Sequence, residues 1–227
     1  MTDPRGGPIA GAPNWGAGYM PARYQGTLFR SGESPLLDLT TPVGVSPQTQ
    51  RQSLDLLHLS PGQTLAVTGA AGAYGGYVVQ LAKAEGLTVI ADASEADHAL
   101  VASLGTDIVV RRGDDVATRI LAHFPNGVDG LADGAVLNER VIPAVRDGGA
   151  FTSVRGFTGV PQRGITFTVT SVRTYDGEFE KLDRLRQLVE SGAITLRVAD
   201  TYPPERAGEA HRRLEAGGTR GRLVIAF

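Results

Sequence analysis

Residues Gln63 to Gly76, QTLAVTGAAGAYGG, constrain the fold of this chain more than any other stretch. Thr64 to Val67 reads as a buried strand, and Tyr77 to Ala82 continues as a helix with Val78, Leu81 and Ala82 on one face. Gly69, Gly72 and Gly75 punctuate the turn between them. A strand that turns tightly into a helix leaves unpaired N–H groups at the helix start, at the positive end of the helix dipole. Residues without side chains let a diphosphate approach those groups. The setting meets the other conditions for a dinucleotide site: a strand before, a helix after, and an acidic residue, Asp92, about 20 positions on at the end of the next strand. The competing reading is a tight corner kept small only for packing.

Beyond this turn, strand and helix patterns alternate. Leu87 to Ala91 reads as a strand, and Ser94 caps a helix to Leu104, with Asp97 completing a capping-box-like pair and Gly105 ending it. Ile108 to Val110, Val128 to Ala132 and Ala150 to Val154 are further strands, with helices predicted over Val116 to Phe124 and Val136 to Val145. Ile165 to Val172 alternates threonine with apolar residues, as an edge strand with one exposed face does. Glu178 to Glu190 is a helix, Val198 to Tyr202 a strand, Pro204 to Glu215 a helix, and Arg222 to Phe227 a last strand. The repeated βα order predicts an α/β fold with a doubly wound (Rossmann) parallel sheet and helices on both faces. Its ligand crevice lies at the carboxyl ends of the strands, where strand order reverses.

Composition excludes several function classes. The net charge of −2 provides no field for nucleic acid or an anionic membrane, and the absence of cysteine removes disulfides, thiolate nucleophiles and Cys-rich zinc sites. The four histidines are scattered, so no metal is expected. With no apolar run long enough to span a bilayer and no basic leader, the expectation is a cytoplasmic protein without a membrane partner.

Residues 1–50 differ from the rest, being rich in glycine, proline and isolated aromatics such as Trp15, Tyr19, Tyr24 and Phe29. They read as an irregular N-terminal arm ahead of a dinucleotide-binding domain over 51–227. The segment beginning GAPNWGAGYMPARYQ and ending QRQSLDLL resembles a fragment of an uncharacterised bacterial family related to the sulfatase and alkaline-phosphatase fold. It carries no metal ligand or nucleophile that matches such enzymes.

The motifs PGQTLAVTGAAGAYGG, VASLGTD, GVDGLADGA and AVRDGGAFTSVRG, with the closing LVESGAITLRVADTYPPERAGEAHRRLEAGGTRGRLVIAF, resemble the cofactor domain of the medium-chain dehydrogenase/reductases of the zinc-free quinone oxidoreductase type. The short-chain dehydrogenase pattern does not fit: Ala73 stands where that pattern has glycine, and no Tyr-x-x-x-Lys occurs. The resemblance implies an NAD(P)H-dependent oxidoreductase that delivers hydride to a quinone, enone or other carbonyl acceptor, and a homodimer joined along the Ile165 to Val172 edge. It also implies an N-terminal GroES-like catalytic domain, for which the arm is no match. A non-catalytic dinucleotide-binding or interaction module, or one completed by a partner, therefore stays open. A hydrolytic activity recruited to the crevice is a third reading, with no residues to support it.

Candidate cofactor-binding residues are Gly69, Gly72, Ala73, Tyr74, Gly75, Asp92, Ser94, Arg112, Asp133 and Arg155. Asp92 would accept from the ribose hydroxyls and favour NAD, although the family's ribose acid more usually falls at Ala93. Arg112 would clamp the 2′-phosphate of NADP, its alternative being a solvated surface arginine. The expected cofactor is NADP, with NAD possible. Tyr74 and Arg155 are the two candidates for a catalytic contact.

Overall fold

The computed structural model describes residues 47–157, 159–170 and 179–226. The expectations for the arm through residue 46, for residues 171–178 and for the end of the last strand at Phe227 lie outside the described residues. The described chain opens with helix α1 (Pro47–Leu57), followed by β1 (Thr64–Thr68), α2 (Ala73–Ala84), β2 (Thr88–Ala93), α3 (His98–Ser103), β3 (Ile108–Arg111), α4 (Val116–His123) and β4 (Val128–Asp133). Then come β5 (Val145–Ser153), β6 (Thr166–Val169), α5 (Phe179–Glu190), β7 (Val198–Tyr202), α6 (Ala207–Ala216) and β8 (Arg222–Ile225).

Six strands form one parallel sheet in the order β3-β2-β1-β4-β5-β6, flanked by helices. β1, β2 and β4 are buried along nearly their whole length, which a strand achieves only when both faces of its sheet are covered. Phe151, on β5, is fully buried and meets Phe157 edge-on, with ring centroids 5.8 Å apart, and Phe167 at 5.6 Å. β7 and β8 pair in parallel as a separate two-stranded sheet.

Local chemistry explains several boundaries. α2 ends in a Schellman motif, with the Gly86 N–H on the Lys83 carbonyl at 3.0 Å and the Leu87 N–H on the Ala82 carbonyl at 3.0 Å. Gly86 takes φ +76°, the left-handed conformation that this cap requires. Before α3, Ser94 Oγ accepts from the Asp97 N–H at 3.2 Å and donates to Asp97 Oδ2 at 2.7 Å. The predicted pairing of Ser94 with Asp97 is therefore present, although its first turn is a 3-10 turn (Glu95–Asp97).

The predicted helix over Val136 to Val145 is absent. Two 3-10 turns, Asn138–Arg140 and Ile142–Ala144, stand there, and β5 starts at Val145 rather than Ala150. Val136 and Asn138 take φ +57° and +54°, and Pro143 offers no N–H, so the α-helical ladder cannot propagate. The first helix reaches back across the expected domain boundary at residue 51: Pro47 to Gln50 form its opening turn. It packs on α2 and buries Gln50 and Ser53 along with Leu54 and Leu57.

At the amino ends of the strands, Asp129 ties β1, β4 and β5 together. It accepts from Thr64 N–H at 2.8 Å, Thr64 Oγ1 at 2.7 Å, Gln63 Nε2 at 3.1 Å and Arg146 Nε at 2.7 Å. Burial alone would raise its pKa, but these donors outweigh it and bring it from 3.8 to about 2. A carboxylate lowered on folding stabilises the native state above its unfolded pKa and loses that contribution as pH falls through the folded value. Between about pH 4 and 2 the native chain should lose about 2 kcal/mol through this one group. Urea titrations across that window check it, and Asp129→Asn should flatten the fall.

Candidate functional site: a dinucleotide cleft

A cleft of about 500 Å³ opens at the carboxyl ends of the strands, between the segments that follow β1, β2, β3 and β4. Strand order reverses between β1 and β4, so their two following loops diverge and leave room for a ligand. Gly69 and Gly72 line it from β1, Asp92 from β2, Arg112 to Asp114 from β3, and Gly134, Ala135 and Leu137 from β4.

The three fingerprint glycines are small for different reasons. Gly69 takes φ +68°, and a Cβ there would lie 3.0 Å from the Gly134 carbonyl carbon, so the turn and its neighbour both exclude a side chain. Gly72 caps α2 in an extended conformation, with no side-chain capping bond. The first-turn N–H groups of α2, beginning at Ala73, are thus left to an external acceptor. A Cβ on Gly75 would sit 2.5 Å from the Gly69 carbonyl oxygen and 2.7 Å from Ala70 Cα, so Gly75 serves close approach of helix to turn.

Asp92 is almost wholly buried, and its Oδ1 accepts from the Gly69 N–H at 2.6 Å. Its Oδ2 has no hydrogen-bond partner, and the Arg112 Nε lies 3.5 Å away, near enough for charge attraction only. Burial raises the Asp92 pKa, against the pull of Arg112 and of the Gly69 and Ala70 N–H groups. Arg220, from the segment before β8, also lines the cleft and grips Asp97 through Nε at 2.7 Å and a terminal nitrogen at 2.9 Å. The arginine side chains are 44% and 41% exposed, the two carboxylates only 1% and 9%. The cleft therefore meets the cations first, although the four charges sum to zero.

Sequence reasoning overlooked Arg220, since nothing in the spacing links it to a carboxylate 123 positions earlier. Other candidates are placed outside the cleft lining. Ser94 is engaged with Asp97. Asp133 is fully buried and accepts from Thr68 Oγ1 at 2.5 Å and the Asn138 N–H at 2.7 Å, which ties the β4 loop to β1. Tyr74 is buried and donates its phenol proton to Ser53 Oγ of α1 at 2.8 Å, and burial pushes its pKa up. It stands as a wall beside Gly134 rather than a proton donor into the cleft. Arg155 lies just past β5 with an exposed side chain.

This sheet, switch point and glycine turn define a doubly wound α/β domain of the Rossmann class. The sequence profile of a family described as "Zinc-binding dehydrogenase" matches residues 104–225. The chain belongs to this family, within the medium-chain dehydrogenase/reductases. A second profile, described as "Protein of unknown function (DUF1501)", matches residues 1–111. Among curated proteins, a 2-methylene-furan-3-one reductase of Solanum lycopersicum is 30% identical over 183 residues, covering 78% of this chain and 44% of that protein. An NADPH-dependent alkenal/one oxidoreductase, chloroplastic, of Arabidopsis thaliana is 28% identical, with the same two coverages of 78% and 44%. The crystal structure of a probable oxidoreductase from Mycobacterium abscessus superposes with a TM-score of 0.69 at 26% identity, covering 81% of this chain and 60% of that one. The chain thus spans about half the length of the curated relatives it matches.

Among the described residues no group of three or more His, Asp or Glu could hold a metal ion. No helix among them is long and apolar enough to cross a membrane.

Proposed function

We propose that this domain binds NADPH and serves an oxidoreductase that reduces an enone, quinone or related carbonyl compound. The observation that carries the reading is the adenosine end of the cleft. There the buried Asp92 Oδ2 lacks a donor while the Arg112 and Arg220 guanidinium groups face outward. A ribose hydroxyl suits the first and a 2′-phosphate the second. The N–H groups at the start of α2 would hold the diphosphate. The nicotinamide supplies the hydride when bound. The names of the tomato and Arabidopsis relatives support the acceptor class. A cofactor-binding module without turnover is the second reading, favoured because the cleft lining collects cofactor-binding groups but neither Tyr74 nor Arg155.

One experiment separates the two. NADPH is added to the full chain with a panel of enones, quinones and aldehydes, and loss of the reduced nicotinamide absorbance is followed. Consumption with at least one acceptor is expected; binding without consumption leaves only the module.

We further infer a cytoplasmic homodimer paired along β6. That strand ends the sheet order, and its Val169 is 41% exposed. An open edge offers N–H and C=O groups that a second copy would satisfy across a two-fold axis. Light scattering at micromolar concentration should give twice the chain mass, and a clean monomer would refute the pairing.

A further inference from the structure

Arg197 stands just before β7, far from the glycine turn in sequence, yet its guanidinium lies on that turn. One terminal nitrogen donates to the Ala71 carbonyl at 3.1 Å and the other to the Gly72 carbonyl at 2.8 Å. In a planar trans peptide the C=O and N–H point in opposite directions, so holding a carbonyl aims the N–H at the other end of the unit. The Gly72 carbonyl shares its peptide unit with the Ala73 N–H, the first of α2. The Ala71 carbonyl shares its unit with the Gly72 N–H, which donates to Gly69 at 2.9 Å. A charge-assisted bond to a carbonyl also polarises the amide, which makes its N–H the stronger donor.

The electrostatics of this placement are unfavourable within the protein itself. Arg197 is half-buried at the amino end of α2, where the helix dipole disfavours a cation. Burial lowers its pKa, and Arg220 adds like-charge repulsion. Among the described residues no carboxylate pairs with it, and its buried Nε has no hydrogen-bond partner. An external anion on the N–H side of the turn would offset the unfavourable charge. Gly76 belongs to the same arrangement: it lies outside the three-glycine pattern, and a side chain there would run into the Arg197 guanidinium.

We propose that Arg197 is a positioning residue for the dinucleotide diphosphate: from the carbonyl side of the Gly69–Gly72 turn it holds the turn so that the Ala73 N–H, on the opposite side, meets the phosphate oxygens. The inference rests on the dinucleotide reading above.

Calorimetric titration of the full chain with NADPH, NADH and adenosine 2′-monophosphate tests it, since the last ligand has the adenosine end and no diphosphate. Arg197→Met should weaken both dinucleotides about tenfold or more while changing adenosine 2′-monophosphate less than about twofold. Arg197→Lys, whose single nitrogen lacks the planar fork that meets each carbonyl with its own terminal nitrogen, should recover only part of the loss. Gly76→Ala should displace the flexible guanidinium tip and reproduce the selective loss with only a small change in melting temperature, because alanine's better helix propensity offsets the lost hydrogen bonds and the 3.2 Å approach to the Ala70 carbonyl oxygen. Unchanged dinucleotide affinity in Arg197→Met or Gly76→Ala would overturn the proposal, as would an equal loss for adenosine 2′-monophosphate with a lowered melting temperature. A native chain that binds neither dinucleotide overturns the cofactor reading and this inference together.

Discussion

Arg112→Ala should weaken NADPH binding by about ten- to a hundredfold and leave NADH binding unchanged, the equivalent of about 1.5–3 kcal/mol for a charge-assisted contact. The guanidinium is nearly half exposed at the cleft and touches Asp92 only at 3.5 Å, so it is held lightly enough to turn to a 2′-phosphate. Removing it leaves Asp92 Oδ2 to the ribose hydroxyl of NADH, which needs no cation. Arg220→Ala should act in the same direction but is the less clean probe, because it also deprives the buried Asp97 of its cationic partner, leaving it only Ser94. Titration calorimetry with both cofactors decides the matter. Equal affinities before and after Arg112→Ala would make Asp92 the ribose ligand and NADH the preferred cofactor.

Gly75→Ala should lower stability by about 3 kcal/mol and abolish dinucleotide binding. The added carbon would lie 2.5 Å from the Gly69 carbonyl oxygen and within 2.8 Å of two further backbone atoms, none of which can swing aside as a side chain would. Relief requires α2 to move away from β1, and that movement opens the turn from which the Ala73 N–H extends. Urea denaturation measures the first effect and calorimetry the second. Gly76→Ala, one position on, meets mainly the end of a flexible arginine, so the contrast between neighbours separates backbone collision from side-chain displacement.

Much of the fold was legible because its signals are local. Buried apolar runs, Ser94 with Asp97, and the glycines closing α2 and α3 each announce an element within a few residues of where it forms. The failure over Val136 to Val145 has a local cause too: an apolar pattern suited to a helix was overridden by two left-handed residues and a proline. The left-handed state of Val136 cannot be read from its type, since a β-branched residue rarely adopts it. The Asp133 carboxylate holds that loop through the Asn138 N–H, a constraint imposed from β4.

Taken alone, the sequence determined the class of fold and the position of its glycine turn, because strand-turn-helix chemistry is written in consecutive residues. It also carried Asp92 as a candidate, at a strand end that must face the crevice, and Arg112 by the family resemblance. Only the tertiary structure decided what those groups meet. It paired Arg112 with Asp92 and left one Asp92 oxygen without a donor, turned Tyr74 toward α1, and withdrew Ser94 and Asp133 into internal hydrogen bonds. It also brought in Arg220 and Arg197 from 123 and 125 positions away. A parallel sheet gathers the carboxyl ends of distant strands at one rim, and which side chains meet there depends on register and packing between elements, for which no spacing along the chain is a code.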